Sequence, residues 1–278
     1  RVCEGAAPEN PNVAFITGAS KGIGHAIALT LAARGYNLAL VARSHGPLYE
    51  LADRCVHVAA ANGHHVQVMP EVLDVCNTPA LEDAIHECAR RFGTISVLIN
   101  NAGINRRRSA AAASRDVWDL VLDTNLRSAM QATRTVLPYM YHRDKSLPQP
   151  AVIFISSIAQ HASFRGEPGI APYYMTKKGL WGLAETAWLD VREKGIKISC
   201  ICPGLVNTEL GVRKGPVEVL AGAAQIPVND IARAVEFVLA SSATACPTEI
   251  VVTTQHPKTP RLTEVNRRLT PAKYRALL

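Results

Sequence analysis

Short apolar runs alternate with longer amphipathic stretches along most of the chain. The runs are rich in Val, Ile, Leu and Ala, which is typical of β-strands that are buried on both faces. They predict strands at Val13–Thr17, Asn37–Ala42, His65–Leu73, Ile95–Asn100, Ala151–Ser156, Lys197–Ile201 and Glu249–Thr253.

The stretches between these runs repeat their apolar residues at helical spacing. Because strands alternate with helices, right-handed βαβ crossovers and a parallel sheet are expected. We therefore predict an α/β fold with one doubly wound parallel sheet and helices on both faces. The predicted helices are one that ends near Arg34, before Gly35, and others at Leu48–Ala61, Ala80–Phe92, Asp116–Met140, Pro172–Lys194 and Asp230–Ala240.

No linker or internal repeat interrupts this alternation, so we predict a single domain over residues 1–278 with a core at residues 13–253. After Pro203 the chain becomes rich in Gly, Pro and polar residues up to about Pro227, which indicates a loop. Residues 254–278 are polar and basic and are predicted to form a tail.

Composition and charge exclude several classes of function. No apolar run approaches the roughly 20 residues that a membrane-spanning helix needs, and Arg1–Asn12 lacks the apolar segment of a signal peptide. The net charge is +7, and much of the excess lies in Arg106–Arg108 and Arg261–Arg275. Neither segment has the interleaved aromatic residues or the motifs of a nucleic-acid binder. We expect neither a membrane nor a nucleic-acid partner.

The cysteines indicate a reducing compartment. Their number is odd and no CxxC pair occurs, so we interpret them as reduced thiols rather than as disulfides or metal ligands. A cytoplasmic location without a bound metal is the expectation that follows. The seven cysteines are Cys3, Cys55, Cys76, Cys88, Cys200, Cys202 and Cys246.

A glycine-rich turn follows the first predicted strand and opens the first predicted helix. Gly18, Gly22 and Gly24 let the backbone turn tightly and approach a pyrophosphate without a Cβ clash. The free N–H groups at the start of the helix attract the same anion. A plain strand–helix turn is the alternative interpretation of these glycines, so the context decides between them.

Six further motifs follow in order, each at the end of a predicted strand or on a predicted helix. Together with the TGxxxGxG spacing of the turn they resemble the short-chain dehydrogenase/reductase family over roughly Val13–Val252. The alternative for the whole set is a family member that has lost its activity. The motifs are Asp74-Val75, Asn100-Asn101-Ala102-Gly103, Asn125, Ser156-Ser157, the YxxxK pair Tyr173 and Lys177, and Pro203-Gly204-Leu205-Val206-Asn207-Thr208.

This resemblance implies a Rossmann-type domain that binds a nicotinamide dinucleotide. Asp74 would accept a hydrogen bond from the adenine amino group, and Val75 would offer a backbone contact. Val206 would meet the carboxamide and Thr208 a phosphate oxygen. The full set of implied cofactor-binding residues is Thr17, Gly18, Ser20, Lys21, Gly22, Ile23, Gly24, Arg43, Ser44, Asp74, Val75, Asn101, Ala102, Gly103, Tyr173, Lys177, Pro203, Gly204, Val206 and Thr208.

Charge at the end of the second strand favours NADP(H) over NAD(H). An NAD site usually places a carboxylate there to bind the ribose 2′-hydroxyl, but here the position is Ala42, followed by Arg43 and Ser44. Arg43 and Lys21 could bracket a 2′-phosphate as two charge-assisted partners.

Tyr173 and Lys177 are spaced i, i+4 on a predicted helix, so their side chains share a face. A nearby ammonium favours the phenolate, so we expect Lys177 to lower the pKa of the Tyr173 phenol. The resemblance implies that Tyr173 exchanges a proton with a carbonyl oxygen, that Ser157 binds this oxygen, and that Asn125 supports Lys177 through a water.

Two choices of register remain in this motif. Tyr174 and Lys178 also match YxxxK, but the pair Tyr173 and Lys177 carries Thr176 before the lysine and a small residue two positions after it, as family helices do. Ser156 competes with Ser157, and the family pattern favours Ser157. His161 is interpreted as a loop histidine outside the mechanism.

We predict reversible hydride transfer between NADPH and a small-molecule carbonyl or secondary alcohol. The alternatives are a non-catalytic NADP(H)-binding sensor and a binder of anionic surfaces. The region around Ala245–Val252 lacks the YITG-like and VDGG-like ends of the 3-oxoacyl-carrier-protein reductases, which places fatty-acid elongation in doubt. The resemblance also implies a homodimer or homotetramer through the helices Asp116–Met140 and Pro172–Lys194.

Overall fold

The fold is given by a computed structural model, which describes residues 11–141, 147–161, 169–208 and 225–255. Within these residues the chain forms a seven-stranded sheet in which every neighbouring pair is parallel. The strands are β1 Val13–Thr17, β2 Asn37–Ala42, β3 Val68–Val72, β4 Val97–Asn100, β5 Ala151–Ile155, β6 Lys197–Pro203 and β7 Glu249–Val252.

The strand order is β3-β2-β1-β4-β5-β6-β7, so the chain winds outward from β1 in both directions. Val13 of β1 pairs with Asn37 of β2, and Ala14 of β1 pairs with Val97 of β4 on the other side. The order reverses between β1 and β4, and ligands of such sheets bind outside the carboxyl ends of the strands at this point. The predicted doubly wound fold is confirmed.

Helices cover both faces of the sheet. One apolar layer contains α1, α2 and α7, and the other contains α3, α5 and α6. Both sets of strand side chains are therefore removed from water, which explains the continuous apolar runs. The helices are α1 Gly22–Ala33, α2 His45–Ala61, α3 Thr78–Phe92, α4 Arg115–Leu122, α5 Ser128–Tyr141, α6 Ala171–Val191 and α7 Val228–Ala240.

The predicted continuous helix over Asp116–Met140 is wrong in one detail. A π-helical turn, Asp123–Arg127, separates α4 from α5. The Thr124 hydroxyl donates to the Leu120 carbonyl at 2.8 Å and the Ser128 hydroxyl to the Thr124 carbonyl at 2.7 Å. The wider turn holds Asn125, which suits the frequent use of such turns at functional sites.

Other element ends differ by a few residues from the predicted ones. The strand predicted at His65–Leu73 is limited to Val68–Val72, and it tolerates Pro70 because β3 is the edge of the sheet. Conversely, β6 continues past Ile201 to Pro203. No helix in the described residues is long and apolar enough to cross a membrane. The predicted tail, apart from its first residues 254–255, lies outside the described residues.

Candidate active site

The glycine-rich turn lies at the carboxyl end of β1, where the strand order reverses. Gly18 and Gly22 have φ angles of +65° and +59°, which L-residues with a Cβ rarely adopt. A Cβ on Gly24 would lie 2.5 Å from both Asn101 Nδ2 and the Gly18 carbonyl oxygen. The conformation of the turn therefore requires glycine. No side chain caps the start of α1 with a hydrogen bond.

The residues between and after these glycines begin the helix. Lys21 is exposed and occupies the N-cap of α1, and Ser20 precedes it. Ile23 belongs to the first turn of α1 and packs partly against the core. The amide of Ala19 donates to the Val41 carbonyl at 3.0 Å, which holds the turn against the end of β2.

Thr17 and Asn101 join the turn to the end of β4. Asn101 Nδ2 donates to the carbonyl oxygens of Thr17 and Gly18 at 2.9 and 3.0 Å. The Thr17 hydroxyl accepts from the amides of Asn101 and Ala102, each at 3.1 Å. These bonds hold Asn101 and Ala102 against the glycine-rich turn.

The segment after β6 returns to the same turn. A Cβ on Gly22 would lie 3.1 Å from Thr208 Cγ2, so Thr208 packs directly against the turn. Val206 is buried, and its carbonyl accepts from the Thr208 amide at 2.8 Å. Gly204 follows Pro203 and donates to the Val252 carbonyl at 2.7 Å. The structure thus brings the two predicted phosphate-binding segments together.

The ends of β2 and β3 hold the residues predicted to select the cofactor. Arg43 Nη1 lies 3.5 Å from Asp74 Oδ2, and Ser44 is exposed at the N-cap of α2. Burial alone would raise the pKa of the Asp74 carboxyl, but hydrogen bonds from Cys76 and the charge of Arg43 lower this pKa overall. Asp74 is thus a carboxylate acceptor, beside the buried Val75.

The Ser157 side chain lies close enough to Tyr173 to lower the pKa of its phenol. Tyr174 turns elsewhere, and its hydroxyl donates to the His161 carbonyl at 3.1 Å. The two serines also separate, because Ser156 Oγ donates to the Lys177 carbonyl at 3.2 Å. The geometry favours Tyr173 with Ser157 as the reacting pair.

Lys177 is almost completely buried one helical turn after Tyr173. Its ammonium donates to the Ile155 carbonyl at 2.8 Å and lies 5.6 Å from the centre of the Tyr173 ring. Burial lowers the pKa of Lys177 to about 8, although the nearby thiols of Cys200 and Cys202 act in the opposite direction.

The phenol does not follow the expected direction. Burial raises the pKa of Tyr173, and the neighbouring Ser157 side chain lowers it by less. We expected the charge of Lys177 to lower the pKa of Tyr173. Instead the pKa is raised, because desolvation disfavours the phenolate more than the neighbouring groups favour it. In this structure the Tyr173 phenol is therefore kept protonated.

Asn125 connects the loop after β4 to α6. Its Oδ1 accepts from the Ile104 amide at 2.7 Å, and its Nδ2 donates to the Ile104 carbonyl at 2.9 Å and to Thr176 Oγ1 at 3.1 Å. A Cβ on Gly103 would lie 3.5 Å from Asn125 Oδ1 and 3.7 Å from Lys177 Nζ. Asn125 and Lys177 therefore both lie close to Gly103.

Comparison with known proteins identifies this arrangement. The sequence profile of the short chain dehydrogenase family matches residues 12–217. The chain belongs to this family. As a short-chain dehydrogenase/reductase it is an oxidoreductase, which confirms the resemblance drawn from its motifs.

Among its relatives is the 3-oxoacyl-(acyl-carrier-protein) reductase FabG of Staphylococcus epidermidis, 32% identical over 197 residues, which cover 71% of this chain and 76% of the relative. The FabG of Escherichia coli is 29% identical over 237 residues, which cover 83% and 91% of the two chains. This chain thus spans most of each relative.

Solved structures show the same fold. The alcohol dehydrogenase of Thermococcus sibiricus, complexed with 5-hydroxy-NADP, has a TM-score of 0.74 at 26% identity and covers 87% of this chain and 95% of its own. Levodione reductase has a TM-score of 0.76 at 25% identity and covers 88% and 96%.

The sequence did not single out three protein groups that complete the site. The Ile155 and Ile104 carbonyls hold Lys177 and Asn125, and the Thr176 hydroxyl links Asn125 to α6. Backbone carbonyls carry no signal in a sequence. The sequence analysis used Thr176 only to choose the register of the YxxxK motif and did not predict its bond with Asn125.

Proposed function

We propose that the protein is an NADP(H)-dependent reductase that transfers hydride reversibly between NADPH and a small-molecule carbonyl or secondary alcohol. The observation that carries the proposal is the buried ammonium of Lys177, held by the Ile155 carbonyl 5.6 Å from the Tyr173 ring, with Ser157 close enough to Tyr173 to lower the pKa of its phenol. A protein that only binds the dinucleotide has no need for this proton donor.

The structure offers a cradle that fits a dinucleotide. The glycine-rich turn, the uncapped start of α1 and the Thr208 contact suit a pyrophosphate. Arg43 and Lys21 present positive charge near the end of β2, where an NAD-specific site would carry an acid. The bound NADP derivative of the Thermococcus sibiricus relative supports the same choice.

When bound, the cofactor supplies the hydride, and this chain supplies the proton and the binding of the substrate oxygen. Ser157 donates a hydrogen bond to the carbonyl oxygen and stabilises the charge that develops there. Tyr173 Oη gives its proton to the same oxygen. The raised pKa of Tyr173 keeps this proton in place until the substrate requires it.

Lys177 and Asn125 support this transfer. The Lys177 ammonium would bind the ribose hydroxyls of the cofactor and favour the phenolate that Tyr173 becomes. Asn125 holds the Ile104 backbone and α6 together beside Gly103 and Lys177. A water between Asn125 and Lys177 would complete a route for the replacement proton from solvent.

The substrate class is argued from the loops at the carboxyl end of the sheet. The names of the FabG relatives point to a 3-oxoacyl thioester, but this chain lacks the YITG-like and VDGG-like ends that many of them carry. We therefore propose a small free carbonyl compound. We expect substrate specificity to lie in three loops, Ile104–Ala112, Ile158–Pro172 and Leu205–Gln225. Ile104–Ala112 is described, whereas parts of the other two lie outside the described residues.

We also propose that the protein assembles with copies of itself. Large apolar side chains are exposed on the helices that the resemblance assigns to the interface, among them Leu120, Met130, Trp181 and Leu189. Exposed apolar surface of this kind commonly marks a contact between subunits.

The test is NADPH oxidation with a panel of ketones, diketones, quinones and aldehydes, followed by absorbance. Tyr173→Phe should lower kcat by about 100-fold or more while NADPH affinity changes little, because only the proton donor is removed. Tyr174→Phe is the matched control and should retain turnover.

Loss of turnover in Tyr174→Phe instead would shift the catalytic pair by one residue. Wild-type protein that binds NADPH tightly but reduces neither the panel nor a 3-oxoacyl thioester would favour a sensor. Wild-type protein that does not bind NADPH in a fluorescence titration would overturn the proposal.

A further inference from the structure

A cluster of metal-binding side chains lies on the sheet beyond Ser157. His161 Nε2, Cys202 Sγ and a carboxylate oxygen of Glu249 all lie within 4.8 Å of one another. Cys200 Sγ lies 3.9 Å from Cys202 Sγ. We propose that Cys202, His161 and Glu249 form a zinc site that fixes the segment following Ser157.

The separations between these atoms suit one tetrahedral ion. With zinc–sulfur bonds of about 2.3 Å and zinc–nitrogen and zinc–oxygen bonds of about 2.0–2.2 Å, neighbouring ligand atoms lie roughly 3.3–3.8 Å apart. The two sulfurs are 3.9 Å apart, Cys202 Sγ is 3.6 Å from Glu249 Oε1, and His161 Nε2 is 3.0 Å from the same oxygen. The Cys200 sulfur is not among the ligand atoms that all lie within 4.8 Å of one another, so three protein ligands are in place and a water would take the fourth position.

The fold brings these three residues and Cys200 together from three segments. Cys200 and Cys202 are two residues apart on β6, so their side chains point to the same face of the sheet. Glu249 of β7 is in register with Cys200. His161 follows a short 3₁₀ turn, Ile158–Gln160, that packs across β6.

Within the described chain, protein partners alone do not satisfy these groups well. His161 Nε2 is buried but makes no hydrogen bond of acceptable geometry, although Glu249 Oε1 is near it. The thiol contacts of Cys200 and Cys202 are long, at 3.5–3.9 Å. A buried nitrogen that lies close to a carboxylate and a sulfur is an arrangement that a borderline-soft cation such as Zn²⁺ satisfies.

Gln160 positions the carboxylate ligand. Its Nε2 donates to Glu249 Oε1 and its Oε1 is 3.5 Å from Cys200 Sγ, so one buried side chain contacts a proposed ligand and the thiol beside Cys202. Hydrogen bonds of this kind from outside the ligand set orient metal ligands and raise metal affinity.

The choice of zinc follows from the donors. A thiolate, an imidazole and a carboxylate are donors typical of Zn²⁺, and a water would complete the tetrahedron. The role proposed for the ion is structural. It would replace the interpretation of Cys202 as a plain reduced thiol, whereas the buried Cys55, Cys88 and Cys200 keep that interpretation.

Its location connects it to the proposed reaction. Ser157 and His161 are separated by the 3₁₀ turn, and the Tyr174 hydroxyl donates to the His161 carbonyl. An ion bound by His161 would thus fix both ends of this short segment, between the substrate-binding serine and the helix of Tyr173.

The test is a Co²⁺ titration of the reduced full-length chain after treatment with a chelator. We expect one Co²⁺ per chain, with the visible absorption of a tetrahedral site and a thiolate charge-transfer band, both removed by Zn²⁺. Cys202→Ser and Glu249→Gln should weaken Co²⁺ binding by about 10-fold or more, whereas Cys88→Ser, a buried thiol outside the cluster, should not.

Two results would overturn the site. One is a folded wild-type chain that gives no tetrahedral spectrum, and the other is a spectrum that persists unchanged in Cys202→Ser and Glu249→Gln. Because Glu249 lies at the surface end of the cluster, its variant should fold even if Cys202→Ser does not, and circular dichroism checks this. The titration contains no cofactor or substrate, so its result is independent of the proposed function.

Discussion

The ammonium of Lys177 donates a hydrogen bond to the carbonyl oxygen of Ile155 at 2.8 Å. Ile155 ends β5 immediately before the two serines, and Ser156 Oγ returns a bond to the Lys177 carbonyl. These two bonds fix how α6 is rotated against the strand. Tyr173, one turn before Lys177, consequently lies beside Ser157, which supports this pair over Tyr174 and Lys178.

Gly24→Ala should damage the cofactor cradle. The new Cβ would lie 2.5 Å from Asn101 Nδ2 and the Gly18 carbonyl, so the turn must shift. We expect the free energy of unfolding to fall by about 1–3 kcal/mol and NADPH affinity to fall by about 10-fold or more. Urea unfolding and a fluorescence titration measure the two effects.

Gly46→Ala is the matched control for Gly24→Ala. Gly46 lies in the first turn of α2, and a Cβ there would meet nothing within 4 Å. Its free energy of unfolding should be unchanged or raised by up to about 1 kcal/mol. Equal effects in the two variants would show that the close approach at Gly24 does not shape the cradle.

Arg43→Leu should reduce discrimination between the two dinucleotides. A charge-assisted hydrogen bond to the 2′-phosphate is worth about 1.5–3 kcal/mol, so the Kd for NADPH should rise by about 10- to 150-fold. The Kd for NADH should change little, because NADH has no 2′-phosphate. Arg134→Leu, which removes an exposed arginine paired with Glu82 between helices, should affect neither. An equal loss for both dinucleotides would contradict the assigned role.

The sequence predicted the elements whose apolar pattern reflects burial on both faces. The bounds of β1 and β2, Val13–Thr17 and Asn37–Ala42, match the prediction because every residue in them is buried. The π-helical turn was not predictable from periodicity, because the apolar spacing of Asp116–Met140 does not change at Asp123–Arg127, where Asn125 bonds to Ile104.

The sequence predicted those features of the candidate site that follow from the spacing of residues within a motif. The i, i+4 relation of Tyr173 and Lys177 placed them on one face. The direction of the phenol pKa was not predictable, because it depends on desolvation by the folded chain. The proximity of His161 to Glu249 likewise arises from the packing of a short turn across β6.

Asn125→Ala should cost stability as well as activity. The variant leaves both the amide and the carbonyl of Ile104 without their partner, and each buried unsatisfied group costs about 1–3 kcal/mol. We expect the free energy of unfolding to fall by about 3 kcal/mol. Asn62→Ala, which removes a single exposed bond to the Val58 carbonyl, should cost far less.

A positioning role for Asn125 also predicts different effects of the substitution on kcat and on NADPH affinity. Because Asn125 acts through Ile104 and α6, kcat should fall while NADPH affinity changes little. The pH profile of kcat should also change if a water-borne proton route is lost. Asn125→Ala with unaltered stability would show that the Ile104 bonds do not form in solution.

Lys177 should make the stability of the protein depend on pH. Its pKa falls from 10.5 in the unfolded chain to about 8 in the fold, because burial disfavours the ammonium. Between these values the unfolded chain binds more protons than the folded one, so the free energy of unfolding rises with pH. The full change is about 3 kcal/mol, and it is a cost that the fold bears at neutral pH.

Lys177→Met removes this titration. Relative to the variant, the wild type should therefore gain about 3 kcal/mol of stability as the pH rises from 7 to 10.5, in urea unfolding with a chelator present. The groups that face the ammonium are the Ile155 carbonyl and the thiols of Cys200 and Cys202. Lys178→Met is the control, because Lys178 is exposed on the same helix and should give no such trend. If the difference in the free energy of unfolding between wild type and Lys177→Met does not vary with pH, Lys177 titrates normally in the folded protein. The ammonium that supports the Tyr173 phenolate would then have to be solvated.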